Sequence, residues 1–130
     1  MSVKDGDTFT LRIGRDSATT IKVTAVVSDE ATKQGLSGRE SLPKSSGMLF
    51  IFKTIAKHSM WMPDMNFALD IVWLDEHFSV SHVTYASEPC ISRTYCPSYS
   101  SVYQVLYAIE MNAGDANALG FSVGKQLYVV

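Results

Sequence analysis

What most limits the folds open to this chain is a period-two alternation of apolar and polar residues that recurs along it. Phe9, Leu11 and Ile13 alternate with Thr8, Thr10 and Arg12. After Gly14-Arg15-Asp16-Ser17, which has turn chemistry, Ile21, Val23, Ala25 and Val27 alternate with Thr20, Lys22 and Thr24. Successive side chains on a strand point to opposite faces, so each run carries one apolar and one polar face, and the pair reads as a β-hairpin. Ser28 then suits a helix N-cap, with Asp29 and Glu30 in the first turn where acidic groups favour the helix dipole, and Gly35 near the end. A short helix is expected there, followed by a loop from Gly38 to Ser46.

Gly47 to Phe52 is apolar on both faces, as a strand covered from both sides should be. Phe67 to Leu74 and Ser79 to Tyr85 read as two strands joined by the charged turn Asp75-Glu76-His77-Phe78, and Val102 to Met111 as another. Asn112 to Leu119 is small, Ala-rich and bounded by glycines, which suggests a second short helix before a turn near Gly124 and a strand through Val130. Many short strands with one or two short helices predict a mainly β fold, an antiparallel β-sandwich or partly closed barrel. No repeat, linker or low-complexity tract divides the chain, so residues 1–130 are read as a single domain.

Hydrophobic residues make up 46% of the chain and charged residues 18%, enough apolar surface to build a core and too much for a disordered chain. The formal charge of −2 comes from 11 basic and 13 acidic residues that form no blocks. Phosphate binding needs a basic stripe, and none is present, so nucleic acid is not an expected partner. The apolar runs are far shorter than the ~20 residues of a membrane span. The start, Met1 to Asp7, has no apolar signal core, which favours a cytoplasmic location, although a processed exported chain would begin in the same way. Cys90 and Cys96 are spaced for neither a redox CxxC pair nor a zinc knuckle. They are either two loop thiols or a local disulfide.

Three ordered segments resemble the domain of unknown function 192 family. Gly35-Leu36-Ser37-Gly38-Arg39-Glu40-Ser41-Leu42-Pro43 with Gly47 to Phe52 is similar to its opening, Trp61-Met62-Pro63-Asp64 through Asp75 to its central signature, and Tyr107 to Gly114 with Gly120 and Gly124 to its close. The match spans roughly residues 20 to 130. It implies a compact, mostly antiparallel β domain and no particular reaction. Ser37, Ala68 and Lys125 stand where the family usually has methionine, proline and aspartate, and these departures weaken the transfer of a polar site to the C-terminal loop.

Among candidate functional residues, Asp70 and Glu110 are carboxylates set between apolar neighbours, and burial disfavours the ionised form unless donors or a cation compensate. The ordinary account is that backbone amides or Arg39 satisfy them. The catalytic account is an acid–base pair with Arg39 as charge stabiliser, which requires both carboxylates to face one pocket. His58, His77 and His82 with Asp64, Asp75 and Glu76 have poor spacing for a metal, so neither metal nor cofactor is expected. There is no Gly-x-Ser-x-Gly elbow and no phosphate loop, and nothing specific supports a Cys–His dyad. Two segments favour binding. Met60 to Phe67 concentrates Trp61, Met62, Asp64 and Met65, and methionines with aromatics line adaptable apolar grooves. Tyr95, Tyr99, Tyr103 and Tyr107 recur among serines, a combination that offers contact area and adaptable hydrogen bonds. The leading expectation is a non-catalytic binding or accessory domain engaging a small apolar ligand, a peptide or a partner protein. The alternatives are a hydrolase-type enzyme using Asp70 and Glu110, and an assembly protein without a ligand.

Overall fold

The computed structural model describes residues 2–90 and 95–130. Strands β1 (Thr8–Ile13) and β2 (Thr20–Val26) form the antiparallel pair predicted by the alternation, with Phe9 opposite Val23 and Leu11 opposite Ile21. Helix α1 (Asp29–Gln34) follows, and the Ser28 hydroxyl caps it by accepting from the Ala31 N–H at 3.1 Å. Gly35 closes it at φ +48°, a left-handed conformation that suits a residue without Cβ. The other elements are β3 (Ser46–Ala56), β4 (Ser59–Trp61), β5 (Leu69–Leu74), β6 (Val80–Ser87), β7 (Ser98–Ser100), β8 (Val105–Asn112), α2 (Asp115–Ala118) and β9 (Leu127–Val129).

Seven strands form one sheet in the order β6-β5-β8-β3-β2-β1-β9, and β4 pairs with β7 in a small second sheet. Every pairing is antiparallel except β2 with β3, which run parallel with Val23 opposite Gly47. A parallel neighbour needs a crossover, and the α1 segment supplies it. The long sheet curls until its two edges touch. Ser79 bridges Gln126, the Val80 N–H donates to the Lys125 carbonyl at 2.9 Å, and the Leu127 N–H donates to Phe78 at 3.0 Å. The architecture is therefore a half-barrel rather than a sandwich of two large sheets.

The curl separates two apolar clusters. Inside it, Leu11, Ile21, Leu49, Val72, Ile109 and Phe121 pack with residues from both edges of the sheet. On the other face, Phe50, Ile71, Trp73 and Ala108 pack under Leu36 and Met62, contributed by the segments after α1 and β4. Predicted boundaries shift where backbone geometry overrides apolar pattern. Val102 has φ +67°, and the last long strand begins only at Val105. Among the described residues, no helix is long and apolar enough to cross a membrane.

Candidate functional site

Glu110 lies on the central strand β8, opposite Met48 of β3 and Ile71 of β5. Residues directly opposite one another across a ladder share a face, so its side chain joins the cluster of Phe50, Trp73 and Ala108. It is 5% exposed, and burial alone pushes its carboxyl up to about 7. Among the described residues it has neither a hydrogen-bond nor an ion-pair partner. Gly35 leaves the space above it open: a methyl group there would stand 3.5 Å from Glu110 Oε1 and 3.3 Å from the Phe50 ring.

This open space is a cleft of about 180 Å³, with Glu110 and Phe50 at its foot and Phe52, Met60, Trp61, Met62 and Met65 around them. The residues of α1 from Thr32 onward form its other wall. Met62 is buried, whereas Trp61 is 61% exposed beside the opening. Three hydrogen bonds stitch the two walls together. The Ser37 hydroxyl donates to the Pro63 carbonyl at 3.0 Å, the Gly38 N–H to the Asp64 carbonyl at 2.9 Å, and the Asn66 amide to the Arg39 carbonyl at 2.9 Å.

The structure thus brings Trp61, Met62 and Met65 together with Glu110, and it leaves the other singled-out residues outside the cleft. Asp64 sits in an exposed turn at φ +56° and contributes its carbonyl rather than its carboxylate. Tyr99 stands opposite Met60 across the β4–β7 pair, and its hydroxyl accepts from the Glu88 N–H at 3.1 Å. Tyr95 is exposed. Cys90 and Cys96 are joined in a disulfide with their Cα atoms 4.5 Å apart, and the Cys90 N–H donates to the Met62 carbonyl, which ties Cys90 to the cleft wall.

The acid–base pair considered for Asp70 and Glu110 is not formed. Asp70 is opposite Met111 whereas Glu110 is opposite Ile71, and adjacent ladder positions face opposite ways. Asp70 therefore points to the interior of the curl. There Oδ1 accepts from the Ala86 N–H at 2.9 Å, and Oδ2 accepts from Gly114 and Ala116 at 2.9 and 3.0 Å. Both oxygens are occupied in tying α2 and the irregular end of β6 to β5. Arg39 is exposed and lines a separate depression beside Leu42, Pro43 and Ser46. It reaches neither carboxylate.

The histidines are dispersed. His58 stacks on Phe52 with ring centroids 3.9 Å apart, His77 lies 3.7 Å from Glu76, and His82 meets Tyr103 edge-on at 6.5 Å. Among the described residues, no three His, Cys, Asp or Glu groups converge as a metal would require.

Sequence reasoning missed Phe50 and Phe52 as cleft residues, although Met48, Phe50 and Phe52 alternate on the face of β3 that carries them. It also missed a wider trough of about 530 Å³ at the mouth of the curl, lined by Phe9, Leu49, Ile51, Phe78 and Tyr107. These come from segments far apart in the chain. Among the described residues, no carboxylate or cationic side chain lines the trough, so they offer little to orient a ligand.

The family model DUF192, described as "Uncharacterized ACR", matches residues 10–129. Among solved structures, the chain is similar to a protein from Sinorhizobium meliloti proposed to be a transcription regulator. The two are 26% identical over 99% of this chain and 98% of that one, with a TM-score of 0.84. It also shares its fold with a protein of unknown function from Novosphingobium aromaticivorans, 19% identical over 92% of this chain and 83% of that one, with a TM-score of 0.81. No curated protein matches the chain.

Proposed function

The chain belongs to the DUF192 family, and we propose that it is a non-catalytic binding domain that takes a small, largely apolar ligand into the cleft between α1, β3 and the Met60–Met65 segment. The observation that carries this reading is an unpartnered, buried carboxyl at the foot of a cleft walled by thioethers and aromatic rings. Ligand sites are commonly apolar concavities with a few placed polar groups, and methionines adapt their shape to what they cover. A catalytic reading lacks the second group it needs. Among the described residues, Lys33 is the only other ionisable side chain lining the cleft, and the Ser37 hydroxyl is engaged with Pro63.

The regulator designation of the Sinorhizobium protein is not carried over, because this chain has a net charge of −2 and no basic stripe to meet phosphates. The Cys90–Cys96 disulfide fits an oxidising compartment better than the cytoplasmic location expected from the N-terminus. Thiol alkylation of freshly isolated protein separates the two, with no labelling expected if the bridge persists.

Trp61 provides the test of ligand binding. It is exposed beside the cleft while Trp73 is fully buried, so a ligand entering the cleft should change the emission of Trp61 alone. In a screen of small amphiphilic compounds, binders should raise Tm in proportion to their occupancy of the native state. Their amide shift changes should cluster on residues 33–36, 50–52 and 60–65. Changes centred instead on Phe9, Ile51 and Tyr107 would move the site to the trough and overturn the proposal.

A further inference from the structure

Building on that cleft, we propose that its ligand is a small organic cation, a primary ammonium group on a short apolar stem, with Glu110 as its counter-charge. A buried carboxylate is retained at low cost only when the protein surrounds it with donors, and the same sheet shows what that looks like. Asp70, one residue along the facing strand, receives three backbone N–H groups. Glu110 is equally central and receives none among the described residues, so the missing donor must come with the ligand.

The charged groups around the site narrow the choice. Of the elements packed against the cleft, β8 contributes Glu110 and α1 contributes the exposed Lys33, while β3, β4 and the segment after it contribute only neutral side chains. Lys33 forms no ion pair with Glu110. An anionic ligand would face the buried carboxylate, and Lys33, exposed to solvent and unpaired with Glu110, offsets little of that repulsion, which disfavours it as the occupant. An ammonium group meets the carboxylate directly, and the aromatic residues Phe50, Phe52 and Trp61 add walls that favour cations over other polar groups. Met60, Met62 and Met65 would cover the alkyl stem. A cleft of about 180 Å³ limits that stem to a few carbons. Free alkylamines and the lysine side chain of a peptide share this chemistry.

The experiment is an NMR titration of the full chain with butylamine and 1-butanol, at about pH 8 and about pH 5.5, on either side of the Glu110 titration. At the higher pH butylammonium should bind at least ~10-fold tighter than the alcohol, worth ~1.4 kcal/mol. The advantage should shrink at the lower pH, where Glu110 is protonated and the amine remains charged. Saturating butylamine should also move the titration of the Glu110 carboxyl carbon to lower pH. Glu110→Gln, which keeps the side-chain shape, should abolish the preference while leaving butanol binding in place. Tighter binding of Nα-acetyl-lysinamide than of butylamine would identify a peptide as the source, and the reverse a free amine; either result supports the proposal. Equal affinity for amine and alcohol in the unsubstituted protein overturns the cation while the cleft reading stands. If neither binds, the cleft reading falls as well.

Discussion

Asp70 and Glu110 occupy neighbouring positions on paired central strands and have opposite fates. Asp70 faces the interior of the curl, where α2 and the end of β6 aim three N–H groups at it. Glu110 faces the cleft, where burial is matched by no donor and its carboxyl is held up at about 7. The first is a fastening and the second an unmet requirement. Burial alone does not separate the two cases, since they are 1% and 5% exposed. What separates them is whether the surrounding backbone answers the charge.

The sharpest way to break this comparison is Asp70→Ala. It removes the acceptor of three N–H groups, one of them buried, and should cost about 4 kcal/mol or more in denaturant unfolding, because hydrogen bonds to charged groups each contribute ~1.5–3 kcal/mol. A loss below ~1 kcal/mol would show that Asp70 is no fastening.

Glu110→Gln should act with the opposite sign. The folded state raises this carboxyl from 4.5 to about 7, so it binds the proton more tightly than the unfolded state does. Its destabilisation is absent below the unfolded value, grows as pH rises between the two, and is complete above about 7. The substitution should therefore stabilise the protein by about 3 kcal/mol at alkaline pH and by little near pH 4. Parallel unfolding curves across that range check it, and a pH-independent effect would refute it.

Gly35→Ala should cost about 1–2 kcal/mol, from a left-handed backbone and crowding against Phe50, and it should reduce ligand occupancy in the cleft. The smallest expected effect is at Ala86, an exposed residue at φ +50° whose N–H meets Asp70. Ala86→Gly should stabilise by ~0.5 kcal/mol, the relief of strain slightly exceeding the entropy lost by glycine. Unfolding midpoints resolve that difference.

Much of this molecule was legible in its residues. The alternation around Leu11 and Val23 marks β1 and β2, and Ser28 marks the start of α1, because strand period and capping are local properties. The methionine-rich segment stood out by composition alone, which marks adaptable apolar surface without saying whether it packs inward or lines a cleft. Strand partners were legible only for the two hairpins, β1 with β2 and β5 with β6. Nothing in Gly47 to Phe52 says that its neighbour runs parallel, and β4 and β7 are three residues each, too short to show a period. The relation of Asp70 to Glu110 depends on register, where a slip of one residue reverses every side chain. Their shared apolar context therefore suggested a shared pocket that the ladder does not form.

The parallel pairing of β2 with β3 also governs how the cleft can breathe. The stretch bearing α1 departs from the end of one central strand and re-enters at the start of its neighbour, so it crosses the sheet as a strap pinned at both ends, with three stitches to the opposite wall. A strap so tied cannot swing aside without breaking those three hydrogen bonds. The width of the cleft is then set by the fold rather than by the guest, so guests should be selected by girth before charge is tested.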